Sequence, residues 1–160
     1  MDESLGEQFM RSQGAPLTVD GRQVQMMFEP AVGESGSISV SMVGRADLTQ
    51  GLHIKVSGAR LDFSGRLLDD VILWTDTAPA EVSIPIVRTK GAVRLRMWNV
   101  WRGPAEVTHA WIGNAGLIVT RLDSENYLLE CSAGPGRPSF DDLEVRVAVG
   151  PTAHGRTSPA

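Results

Sequence analysis

The chain of 160 residues contains one cysteine, Cys131, which excludes an internal disulfide and a structural zinc site built on cysteines. Histidine is nearly as scarce. His53, His109 and His154 form no His-x-His or His-x-x-x-His pair, so no metal-binding motif is visible in the linear sequence. No run approaches the roughly 20 consecutive apolar residues that a spanning helix needs. The opening residues are acidic where a secretory signal would be basic and then apolar, so a cytoplasmic location without membrane attachment is expected. Gly-x-Ser-x-Gly and Gly-x-x-x-x-Gly-Lys-Ser/Thr are both absent, which argues against a hydrolase elbow and against nucleotide hydrolysis. The net charge is −4, and the 13 arginines, against 2 lysines, are scattered except at Arg94, Arg96 and Arg102. Nothing resembles a basic footprint, so nucleic acid is not an expected partner.

What is present is the vocabulary of strands and turns. Valine, isoleucine and threonine supply 32 residues, and glycine with proline another 26. Residues 37–43 alternate strictly, with Ile38, Val40 and Met42 on one face and serines on the other. Leu52, Ile54 and Val56 repeat the period of two, as do Val82, Ile84 and Ile86, where Pro85 suggests an edge position. Leu143, Val145, Val147 and Val149 give the clearest strand. Further strands are expected over residues 24–29, 70–75, 92–100, 107–112, 117–122 and 126–132, about ten in all at sandwich-like spacing. Residues 70–75 are apolar on both faces, which places them in the middle of a sheet. The best helical segment, residues 3–11, is short. The reading is an all-β, antiparallel two-sheet β-sandwich, jelly-roll-like, with one domain over residues 17–149. Residues 1–16 are expected to be loosely ordered and residues 150–160 to form a disordered tail.

The segment from Arg94 to Trp101 is the most informative. A strand there puts Val93, Leu95, Met97 and Trp101 on one face and Arg94, Arg96 and Trp98 on the other. If Gly103-Pro104 forms a two-residue turn, Trp98 falls opposite His109 and Arg96 opposite Trp111. The expected ligand-binding stripe is therefore Arg94, Arg96, Trp98, His109 and Trp111: indoles to stack a ring, guanidinium groups to fork to an anion. The same face would equally suit packing under a second sheet or in an oligomer interface, with Arg96 stacked on Trp111. Cys131 shares its strand parity with Leu129 and reads as a small buried hydrophobe.

Acidic pairs offer weaker sites. Asp70 and Asp76 share a face but stand at opposite ends of one strand, about 20 Å apart, too far to act as an acid and base pair. Residues 140–147, Phe-Asp-Asp-Leu-Glu-Val-Arg-Val, resemble the closing strand of jelly-roll carbohydrate-binding modules. That resemblance implies a structural Ca2+ at Asp141 or Asp142, while no other cofactor is expected. The expected function is a non-catalytic binding module that holds a partner protein or a small polar ligand. The alternatives are a carbohydrate-binding jelly roll and a cupin-like metal-dependent enzyme drawing on His53, His109, Asp70 or Asp76. A homodimer is a further option for burying exposed strand edges.

Overall fold

The computed structural model describes residues 3–32, 36–45 and 47–150. Residues 33–36, whose glycines at both ends signal a turn, lie largely outside them, as does the expected tail beyond Gly150. The chain opens with α1 (Leu5–Arg11) and the short strands β1 (Leu17–Val19) and β2 (Arg22–Val24). It continues through β3 (Gly36–Gly44), β4 (Gln50–Ser57), β5 (Ala59–Phe63), β6 (Arg66–Leu68), β7 (Asp70–Trp74) and β8 (Val82–Arg88). Then follow β9 (Arg94–Arg102), β10 (Thr108–His109), β11 (Gly116–Arg121), β12 (Asn126–Ser132) and β13 (Leu143–Gly150).

Every pairing is antiparallel. Seven strands form one sheet in the order β11-β12-β13-β3-β8-β5-β6, four form a second in the order β10-β9-β4-β7, and β1 and β2 form a separate hairpin. The alternation read from the sequence decides which side chains meet between the two large sheets. Ile38, Val40, Ile84, Leu129, Val145 and Val147 come from the first, and Leu52, Ile54, Leu73, Leu95 and Met97 from the second, into one buried cluster that includes Cys131. Burial pushes the Cys131 thiol well above its ordinary range, so it sits there as an inert apolar group. The protein is thus an all-β antiparallel sandwich. From β3 its path crosses between the sheets, with the consecutive pairs β5-β6 and β9-β10 each kept within one sheet, and then runs β11-β12-β13 as a meander within one sheet.

Three local readings change. Residues 59–68 form a hairpin, β5-β6, closed at Ser64 and Gly65, both with positive φ (54° and 89°). β8 is not an edge, since β3 and β5 flank it; but the β5 ladder ends at Leu61↔Ile86, one residue before Pro85, which is where a proline is tolerated. β7, apolar on both faces, is not central but the edge of the smaller sheet.

Residues 4–11 carry structure as well. Ser4 caps α1 in a reciprocal box: the Glu7 N–H donates to Ser4 Oγ (3.1 Å) and the Ser4 N–H to Glu7 Oε1 (3.0 Å). Those bonds hold the Glu7 carboxyl below its ordinary range. Leu5 and Phe9 are buried with Val24 and Ile118, so helix and hairpin cover the outer side of β11.

Candidate functional site

Because side chains alternate across a strand, the face of the four-stranded sheet turned away from the core is set by its registers. Lys55 pairs with Arg96 on one side and Asp70 on the other; His53 pairs with Trp98 and Ile72; Gly51 pairs with Val100 and Trp74. A charged row therefore lies beside an aromatic row.

Trp98 is the centre of the aromatic row. The His53 ring lies 4.4 Å from it, centroid to centroid, and the Trp111 ring lies 4.7 Å away on the same indole. Trp98 is only 7% exposed although it points away from the core, whereas Trp111 is 36% exposed. Trp111 is not on a strand. It sits in the turn after β10 with φ of 60°, anchored by its Nε1–H donating to the Met26 carbonyl (3.0 Å). Toward the far end of the sheet, Trp74 lies over Gly51, where a Cβ would come within 3.0 Å of the indole and 2.7 Å of the Leu73 carbonyl oxygen. The Arg102 guanidinium covers the same indole at 4.3 Å and stands 3.6 Å from Asp76.

The charged row is unevenly paired. Arg94 forks to Glu29, with Nε to Oε2 at 2.5 Å and a second bond of 3.1 Å, and holds the Glu29 carboxyl below its usual range. Arg96 Nε is buried and has no hydrogen-bond partner among the described residues. His53 Nε2 is buried too; it approaches Asp70 Oδ2 at 3.5 Å, a Coulombic contact once the ring is protonated, but makes no hydrogen bond. Donors left in this condition cost about 1–3 kcal/mol each.

Of the five residues expected in the stripe, Arg94, Arg96, Trp98 and Trp111 gather on or over this face, and His109 does not. The two-residue turn is absent. Gly103 is extended (φ −98°), Ala105 and Glu106 take positive φ, and the loop closes through the Gly103 N–H donating to the Val107 carbonyl (2.8 Å). That longer loop moves the register so that His109 pairs with Trp101 and packs against Trp101 and Gly103. His53 stands against Trp98 in its place. The cation–π contact is also differently made, Arg102 on Trp74 rather than Arg96 on Trp111. No linear signal announces the His53–Trp98 contact, because it depends on the pairing of β4 with β9 across more than forty residues.

The acidic candidates are engaged otherwise. Asp142, 2% exposed, accepts from Arg45 (2.7 Å) and from the Ala133 N–H (3.1 Å), and Asp141 accepts from Ser139. Among the described residues no group of three or more His, Cys, Asp or Glu side chains is placed to hold a metal ion. An open cleft of about 790 Å³ lies between α1 and the loops at Asn114 and Arg137, but its Glu3 and Glu7 are bonded to Arg11 and Ser4. The chain matches no known protein-family model and has no significant similarity to any curated protein.

Proposed function

We propose that the protein is a non-catalytic binding module that uses the outer face of the four-stranded sheet to hold a partner protein or a small polar ligand carrying an anionic group. The observation that carries this reading is the pair of buried, unpartnered nitrogens beside Trp98: Arg96 Nε, always a donor, and His53 Nε2, a donor whenever it carries the ring proton. An acceptor delivered by a ligand removes both penalties, and a carboxylate or phosphate does so through charge-assisted bonds. Lys55 adds a further exposed cation in the same row. Trp111, exposed and stacked on the buried Trp98, supplies an apolar ring beside these nitrogens, suited to stacking another ring.

The test is a titration monitored by tryptophan emission, using aromatic monocarboxylates, inorganic phosphate and neutral oligosaccharides as separate probes. Saturable quenching by an anionic probe, lost in Arg96→Met, is the expected result. A response to oligosaccharides alone, insensitive to Arg96→Met, would instead favour the carbohydrate-binding alternative, which rests on the exposed Trp111 ring. No response to any probe, with no partner lost from Trp111→Ala protein on purification, would contradict the proposal.

A further inference from the structure

The two large sheets have four edges, and three of them are closed or short. β11 is taken up by Gln25 through reciprocal bonds with Leu117 (2.8 and 2.9 Å), and β6 is three residues long. On its open side β9 is covered by the two-residue β10 and by Phe28, which exchanges two bonds with Met97 (2.8 and 2.9 Å). The fourth edge is β7. Among the described residues no strand pairs with it on the side away from β4.

The backbone of β7 shows which groups face outward. The Val56 N–H donates to the Asp69 carbonyl (2.9 Å) and the Thr75 N–H to the Gln50 carbonyl (2.8 Å), so odd-numbered residues bond to β4. In an antiparallel ladder the alternate residues, Asp70, Ile72 and Trp74, then turn their N–H and C=O groups to the free side. The Trp74 carbonyl already accepts from Ala78 (2.8 Å), and the rest of this set is open among the described residues. The strand contains no lysine, proline or glycine to discourage pairing.

We propose that β7 pairs with β7 of a second copy about a two-fold axis at Ile72, joining two four-stranded sheets into one continuous antiparallel sheet. The choice of a second copy rests on self-complementarity. With the axis at Ile72, Ile72 meets its own counterpart in the hydrogen-bonded register, and Asp70 meets Trp74 of the second copy with the Trp74 N–H donating to the Asp70 carbonyl while the Trp74 carbonyl keeps its turn bond to Ala78. Arg102 stacks on Trp74, so each guanidinium faces the Asp70 of the other copy across the seam. Asp70 is half exposed, and among the described residues its ion pair is the long approach to His53. The half-buried Ile72 and Trp74 side chains on the outer face then become an apolar centre shared by both copies.

The full chain is examined by sedimentation velocity, and Ile72→Cys by mild oxidation. Hydrogen-bonded antiparallel partners have Cα atoms about 5.5 Å apart, within disulfide range, and only a residue beside a two-fold axis links to itself. The expected results are a species of twice the 17.2 kDa chain mass, a covalent dimer from Ile72→Cys and none from Leu67→Cys on β6. Ile72→Lys is expected to sediment as a monomer with an unchanged far-ultraviolet circular dichroism spectrum. A monomeric wild-type protein at the highest concentration reached overturns the proposal. So does a folded Ile72→Lys that remains dimeric, or a dimeric Ile72→Cys that does not crosslink; if Ile72→Lys fails to fold, the crosslink decides. None of these readouts depends on a ligand.

Discussion

Both faces of β9 carry buried apolar side chains, but they differ in how their polar atoms are treated. On the inner face Leu95, Met97 and Trp101 are buried, and the one amide among them, Asn99, donates to the Ser132 carbonyl at 2.9 Å. On the outer face Trp98 is nearly as buried, yet the nitrogens beside it, the Arg96 Nε donor and His53 Nε2, have no hydrogen-bond partner among the described residues. Burial alone therefore does not separate core from site in this sheet. The distinction lies in the donors: on the inner side Asn99 Nδ2 and Gln50 Nε2 both reach carbonyls and Gln50 Oε1, an acceptor, is left without a partner among the described residues, whereas the outer face leaves a buried donor unpaired and is arranged for something besides its own stability.

The comparison breaks if substitutions on the two faces behave alike. The largest effect is expected at Met97, which has no solvent exposure: Met97→Ala should lose about 2–5 kcal/mol in urea unfolding. Asn99→Ala should follow with about 1–3 kcal/mol, because it strands the Ser132 carbonyl in the core. On the outer face, Trp111→Ala removes one stacked ring and should cost about 0.5–1.5 kcal/mol, while making Trp98 emission more accessible to acrylamide. Arg96→Met deletes an unpaired donor and keeps an apolar stem, so its stability should be no lower than wild type, with a gain of up to about 1–3 kcal/mol, while the anion response is lost.

The smallest effect concerns Glu29. Its carboxyl is held low by the Arg94 hydrogen bonds, so it binds its proton less readily folded than unfolded. The contribution of this pair is complete above the ordinary carboxylate range and fades as pH falls through the lowered folded value. Acid unfolding of Arg94→Ala should be slightly less steep than that of wild type, and the exposure of both groups keeps the difference small.

Much of the sandwich was legible because its strands alternate strictly. β3, β4, β12 and β13 lie where Ile38–Val40–Met42, Leu52–Ile54–Val56, residues 126–132 and Leu143–Val145–Val147–Val149 place them. The β5-β6 hairpin was missed although Ser64-Gly65 is a turn signal, because Ala59, Arg60, Leu61 and Asp62 lack the β-branched residues that mark a strand. The Ser4-x-x-Glu7 box likewise announces α1, and the burial of Leu5 and Phe9 against Ile118 explains why so short a helix persists. The position of β7 was misjudged for a physical reason. Ile72 and Trp74 are apolar because they complete the outer aromatic face; among the described residues β4 alone lies beside them. At the site, strand parity alone puts Arg94, Arg96 and Trp98 together, but His109 was misplaced because Ala105 and Glu106 adopt left-handed backbone that neither residue type favours. His53 could be found only from the β4-β9 register.

The central claim is that the outer face of β9 awaits an acceptor while the inner face does not. The most direct measurement is a ¹H–¹⁵N titration of side-chain signals with benzoate, following Arg96 Nε–H, the His53 ring and Asn99 Nδ2–H₂ together. A saturable shift of Arg96 and His53 with Asn99 unmoved is the predicted result. Unmoved Arg96 and His53 signals at saturating benzoate, or shifts confined to residues elsewhere, would contradict it.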